Sequence, residues 1–171
     1  MTKELLTICA PDGAVSRLDL ERLKLSIATI CRGLEDTVSV DALLGRTLEL
    51  CFDQMTTSQL HDALVLTARS LIEADPAYSF VAARLLLRKL YAEVWGEPVE
   101  VDAAAAVYPA MFRRSIEAAV AAERLQPALL DFDVARLGQA LRPERDLSFA
   151  YMGIQTLYDR YFLRHDDRCF E

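Results

Sequence analysis

Leu5-Leu6-Thr7-Ile8-Cys9, then Pro11-Asp12-Gly13, then Val15-Ser16-Arg17-Leu18 open the chain, and their reading decides the fold. The first run is short, apolar and partly β-branched, which suits a strand. Pro-Asp-Gly supplies turn chemistry, with Gly13 free to take the positive φ that tight turns demand. The third run alternates apolar and polar residues, as a returning strand would. A β-hairpin over residues 5–18 is therefore expected, and Asp19 behind it is placed to cap a helix.

Everything after the hairpin reads as helix. Leu20, Leu23, Ile27, Ile30 and Leu34 form one apolar stripe at helical spacing. A second helix is expected over 40–52, with Leu43, Leu44, Leu48 and Cys51 turned inward. Thr56 with Gln59 fits a capping box for a third helix running to about residue 74, burying Leu60, Leu64 and Leu71. Asp75-Pro76 reads as the start of a fourth, with Phe80, Ala83, Leu87, Leu90 and Val94 on its inner face. Gly96-Glu97-Pro98 ends it and sets a boundary, so residues 1–96 form one domain and 97–171 a second, helical region. Helices are expected there over about 103–122, 134–141 and 147–163, the last rich in aromatics, with a polar turn over 164–168.

The composition narrows the function classes. Of 171 residues 53% are hydrophobic, with six Gly and six Pro, so a packed core rather than global disorder is expected. No apolar run approaches the roughly 18–20 uncharged residues that span a bilayer, and the first residues lack the pattern of a signal peptide. A cytoplasmic protein is the expectation. A net charge of −7 argues against a free nucleic-acid binder, which needs a basic surface. Cys9, Cys31, Cys51 and Cys169 are widely spaced, and with His61 and His165 they offer no clustered zinc ligands. Phosphate loops, dinucleotide fingerprints, HExxH and GxSxG patterns are all missing. The acid pairs Glu35-Asp36 and Asp166-Asp167 fall in loop-like sequence and read as solvated or capping groups. The chain is thus expected to be a regulatory or assembly module, mainly α with a small β-hairpin, and not a complete enzyme.

One arrangement could carry chemistry. The helix after the hairpin bears Arg22 and Lys24, and the helix start at Thr56-Thr57-Ser58 offers hydroxyls and backbone N–H groups. Helix N-termini attract anions through those N–H groups and the macrodipole, so a phosphate between Arg22 and that start is one reading. Capped helix starts and surface arginines are ordinary features, and a plain structural role is the other.

At these residues the chain resembles a known family. The hairpin with Asp12-Gly13, the helix from Asp19, the segment from Met55 to His61 and the helix containing Tyr78-Ser79-Phe80-Val81-Ala82-Ala83-Arg84-Leu85-Leu86 look like an ATP-cone domain. The stretch from Arg145-Asp146-Leu147-Ser148-Phe149 to Arg160-Tyr161-Phe162 looks like the helical region following the cone in the large subunit of class I ribonucleotide reductase. The resemblance implies a four-helix cone with a helical extension. It implies an overall-activity switch that binds ATP or dATP, with Mg2+ as the nucleotide's companion ion. It also implies partners: the rest of the large subunit, the radical-generating small subunit, and further copies in an oligomer. The reducing chemistry of that family lies in a later barrel, so this stretch would be a fragment, split subunit or excised domain that lacks the barrel.

By the same resemblance the nucleotide site falls on Ser16, Arg17, Asp19, Arg22 and Leu23, with Thr57 and His61 across the pocket. Two departures stand out. The family's basic pair before the Asp-Gly turn is here Ala10-Pro11, and a basic residue late in the fourth helix is Ala92, with Arg88 and Lys89 about a turn earlier. They favour an alternative, a degenerate cone without nucleotide that acts as a structural or subunit-interaction module. Cones also occur in nucleotide-sensing repressors, but those carry a zinc ribbon that the cysteine spacing here excludes.

Overall fold

The computed structural model describes residues 6–96, 99–165 and 168–170. The expectations for residues 1–5, Glu97-Pro98, Asp166-Asp167 and Glu171 lie outside the described residues. The chain divides into two compact units, Met1–Leu85 and Leu86–Glu171. That division falls eleven residues before the domain limit expected at Gly96, inside a helix.

The first unit starts with the hairpin. Strands β1 (Thr7–Cys9) and β2 (Val15–Arg17) pair antiparallel, Ile8 opposite Ser16. The turn closes through Ala10 N–H donating to Ala14 O at 2.8 Å and Gly13 N–H to Ala10 O at 2.9 Å. Asp12 Oδ1 accepts from Ala14 N, and Gly13 takes φ 84°, the left-handed region in which a Cβ would be strained. A strand that the sequence reading missed, β3 (Met55–Thr56), pairs parallel with the free edge of β1, giving the order β2-β1-β3.

Four helices follow the sequence pattern with shorter ends. Helix α1 (Leu20–Ile30) is capped by Asp19 and buries Leu23, Ile27 and Ile30. Helix α2 (Val40–Leu50) is capped by Ser39 and stops before Phe52, which is exposed. Helix α3 (Thr57–Ser70) starts with the expected capping box and ends four residues early. Helix α4 (Tyr78–Trp95) begins two residues beyond Pro76, because Asp75 Oδ1 accepts from Ala77 N and holds the entry as a turn. Val81, Ala82, Ala83, Leu85, Leu86 and Leu87 are all buried, so α4 buries most of its circumference, not one face. Phe80, expected inside, is 37% exposed.

A clamp stabilises the sheet. Asp53 Oδ1 accepts from both Thr7 N (3.1 Å) and Thr7 Oγ1 (2.6 Å), while Gln54 N donates to Thr7 O. The Thr7 hydroxyl and amide hold the Asp53 carboxyl below its ordinary range. A depressed carboxylate stabilises above its unfolded pKa and loses that contribution as pH falls through the folded value. Asp53→Ala is therefore expected to speed hydrogen exchange at Gln54 at neutral pH. The native chain should show the same loss of protection, corrected for intrinsic exchange, only on acidification.

The second unit holds the end of α4 and helix α5 (Val101–Ala121), with Pro109 inside it. After a 3-10 segment (Pro127–Asp131) comes α6 (Val134–Ala140), packed on α5. The helix expected over 147–163 is corrected. Residues Pro143–Ser148 form a 3-10 turn and only Tyr151–Arg160 is α-helix, α7, because Phe149 and Ala150 adopt extended backbone. Within the expected polar turn over 164–168, the described residues on either side of 166–167 are paired as strands. Strands β4 (Arg164–His165) and β5 (Arg168–Cys169) pair antiparallel. Arg164 lies over the Tyr158 ring, 4.4 Å from its centroid, while the Tyr158 hydroxyl donates to Glu93. Among the described residues no helix is long and apolar enough to cross a membrane.

Candidate functional site

Strand register fixes what shares an end of the small sheet. Cys9 pairs with Val15 on one side and Thr56 on the other. The Ala10–Ala14 turn and the start of α3 therefore lie at the same end, β2 and β3 being two strand spacings apart, roughly 10 Å. Arg17 pairs with Thr7 at the other end, where the chain passes through Leu18 and Asp19 into α1.

The structure places the expected site residues as follows. Ser16 and Arg17 lie on β2 and are exposed. The Asp19 carboxylate accepts from Arg22 N at 2.9 Å and is engaged as a helix cap. Arg22 is exposed, and among the described residues its guanidinium has no hydrogen-bond or ion-pair partner. Lys24, two residues on, is paired with Asp41 of α2 at 2.7 Å. Leu23 is only 8% exposed and belongs to the core, which leaves it little surface for a base or sugar.

At α3 the capping box uses the Thr56 hydroxyl on Gln59 N (3.1 Å) and Gln59 Oε1 on Thr56 N (2.8 Å). Thr57 N and Ser58 N remain as helix donors without an intrahelical acceptor, beside two hydroxyls. His61 lies one turn further along the same face as Thr57. Its Nε2 is 2.8 Å from Leu85 O, and since a carbonyl only accepts, Nε2 carries the proton. Arg84, the residue before, donates from one terminal nitrogen to Ile30 O (2.8 Å) and Arg32 O (2.7 Å), closing the end of α1. Two neighbouring residues of α4 thus tie down α1, which bears Arg22, and α3, which bears Thr57 and His61. Cys31 nearby is fully buried, and burial pushes its thiol up to about 11, so it is inert as a nucleophile. No group of His, Cys, Asp and Glu able to hold a metal occurs among the described residues.

The second unit contains a different feature. A cavity of about 280 Å³ is bounded by Tyr91, Trp95, Tyr108, Phe112, Asp146 and Phe170, among others. Tyr91 and Trp95 stack with centroids 4.4 Å apart and an interplanar angle of 3°, and Tyr108 stands edge-on to both. Tyr91 OH donates to Asp146 Oδ2 at 2.9 Å. Burial raises the Asp146 carboxyl above its ordinary range, and its hydrogen bonds with Tyr91 and Tyr108 offset only part of that. Burial likewise raises the Tyr91 phenol and pushes Tyr108 up to about 12. A raised carboxyl stabilises fully below its unfolded pKa and loses that contribution as pH rises through the folded value. Asp146→Asn is therefore expected to flatten the pH dependence of unfolding on the acid side, with no loss of stability at neutral pH. Urea melts across that range check it.

Comparison with known proteins places the chain. It is 34% identical over 167 residues to a ribonucleoside-diphosphate reductase subunit alpha of Chlamydia muridarum, covering 97% of this chain and 16% of that protein. The Helicobacter pylori subunit alpha is 30% identical over 162 residues, 94% of this chain and 19% of that protein. The chain is related to the ribonucleoside-diphosphate reductase alpha subunits. An Escherichia coli ribonucleoside-diphosphate reductase 1 subunit alpha matches over 166 residues at 23% identity, 94% of this chain and 20% of that protein. The chain thus spans about a fifth or less of the length of these reductase subunits. No protein-family model matches it.

The positions Ala10, Pro11 and Ala92, where the resemblance led to an expectation of basic residues, can now be located. Ala10 and Pro11 enter the hairpin turn, leaving no cationic side chain in residues 10–14. Ala92 lies in the last turns of α4, and the nearby Arg88 is paired with Glu100 at 3.7 Å.

What escaped the sequence reading was tertiary in origin. Strand β3 is two residues long, too short for any periodicity, and the Asp53 clamp joins residues 46 apart. The aromatics Tyr108, Phe112 and Phe149 were visible as individual residues, but their convergence with Tyr91 and Trp95 around Asp146 was not.

Proposed function

We propose that the chain is a nucleotide-binding regulatory region of a ribonucleoside-diphosphate reductase large subunit, taking ATP or dATP at the hairpin and the start of α3. What supports this reading is the Arg22 guanidinium on α1, without a hydrogen-bond or ion-pair partner among the described residues, together with the first-turn N–H groups and hydroxyls of Thr57 and Ser58 on α3. Arg22 would hold phosphate, Thr57 would donate to it, and Ser16, Arg17 and Asp19 would line the entrance. His61, with Nε2–H committed to Leu85 O, would present its ring to the nucleotide. Mg2+ would arrive with the triphosphate. Reduction of ribonucleotides would belong to the rest of the large subunit, with the radical-generating small subunit as its partner. The setting would be the cytoplasm, and ATP and dATP would act by favouring different assemblies.

Calorimetric titration of the chain with ATP and dATP tests the reading. Micromolar binding that is lost in Arg22→Ala supports it, and an unchanged affinity in that variant rejects the pocket. A second reading has its own support. Ala10, Pro11 and Ala92 leave the phosphate end without the expected cations, and charge-assisted bonds contribute about 1.5–3 kcal/mol each. Losing two or three would weaken binding by roughly a hundredfold or more. The cone would then serve subunit contact alone, and millimolar nucleotide would give no heat.

A further inference from the structure

The cavity of the second unit has no part in the nucleotide reading, and most of its polar groups are turned on one another. The Tyr91 hydroxyl donates to Asp146 Oδ2 at 2.9 Å, and the Tyr108 phenol is hydrogen-bonded to the same carboxylate. Tyr91 and Trp95 stack face to face, and Tyr108 packs edge-on against both. That cluster forms one wall whose donors, acceptors and ring faces are already engaged with each other. The rest of the lining is apolar, including Leu87, Leu90, Val94, Ile154 and Leu157, apart from Ser115 of α5. Ser115 makes no hydrogen bond among the described residues, so its hydroxyl is the one in the lining still open to a partner.

Water in such a space would find few partners, since an ordered molecule needs about two to four. An apolar cavity of about 150 Å³ is enough for benzene, so about 280 Å³ takes a body of roughly ten carbon-sized atoms. Removing that body from water supplies the driving force, and a single hydrogen bond would fix its orientation. We propose that the cavity binds a small uncharged molecule with an apolar body and one hydroxyl group, the hydroxyl bonded to Ser115. A cation would have to take Asp146 from its phenol donors, and an anion would meet that carboxylate in a water-poor site. Both are disfavoured against a neutral guest of the same size.

Trp95 is the only tryptophan of the chain and belongs to the cavity lining, so its emission reports occupancy. The test titrates the 171-residue chain with n-hexanol and, separately, with hexylammonium, which matches its length but carries a charge. A saturable change in Trp95 emission is expected with the alcohol below ~10 mM, and the ammonium ion should bind about tenfold or more weakly. Ser115→Ala removes the hydroxyl and should weaken the alcohol by about threefold or more, as the loss of one neutral hydrogen bond requires. Ser115→Leu occupies part of the space and should weaken it by about tenfold or more. No saturable change, equal or tighter binding of hexylammonium, or native affinity in both variants would overturn the proposal. If Ser115→Leu fails to fold, the alanine variant and the two-ligand comparison on the native chain decide. Nucleotide titration of the first unit is a separate readout, so failure here leaves that reading untouched.

Discussion

Replacing Arg84 with methionine is expected to destabilise the first unit by about 2–4 kcal/mol, although the new side chain keeps most of the buried stem volume. One terminal nitrogen of Arg84 serves both Ile30 O and Arg32 O, carbonyls at the end of α1 that the helix cannot satisfy itself. Hydrogen bonds from a charged donor contribute more than neutral ones, and removing the donor strands two acceptors in a partly buried place. One feature moderates the loss: Arg84 Nε is buried without a partner, and the substitution relieves that. The effect should reach the candidate site, because Leu85 next in α4 holds the His61 ring. Urea denaturation of Arg84→Met should show a lower midpoint, and any nucleotide affinity should fall with it. An unfolding free energy within about 0.5 kcal/mol of native would show that water satisfies these carbonyls equally well.

Gly138→Val is expected to cost a comparable amount, about 2–4 kcal/mol, and to separate α6 from α5. A Cβ at Gly138 would lie 3.0 Å from Pro109 O and 3.2 Å from Pro109 Cα. Both are backbone atoms of a 21-residue helix, which cannot yield as a side chain would. Alanine alone meets this contact, and valine adds two methyl groups to it. Gly138 is therefore where α6, only seven residues long, gains the close approach that its length could not otherwise secure. Loss of far-UV helicity and a reduced thermal midpoint, larger for valine than for alanine, would confirm the clash. Native-like melting of Gly138→Val would show that α6 re-docks freely.

The sequence alone determined the hairpin, the helical character of the rest, and the helix starts at Asp19 and Thr56. Those features are local: a turn glycine, a carboxylate three residues from the amide it caps, an apolar stripe at helical spacing. The candidate nucleotide residues were legible only through resemblance, since no single motif in residues 16–61 specifies a ligand. Tertiary structure decided the rest. It added β3 to the sheet edge through the Asp53–Thr7 clamp, and placed Arg84 on the end of α1 across more than fifty residues. It ended α7 at Arg160, ahead of the paired strands β4 and β5, and brought the Tyr91 and Tyr108 hydroxyls onto Asp146. Each of those outcomes depends on groups remote in sequence meeting after chain entropy has been overcome. Propensity and periodicity, which act within a few residues, carry no record of them.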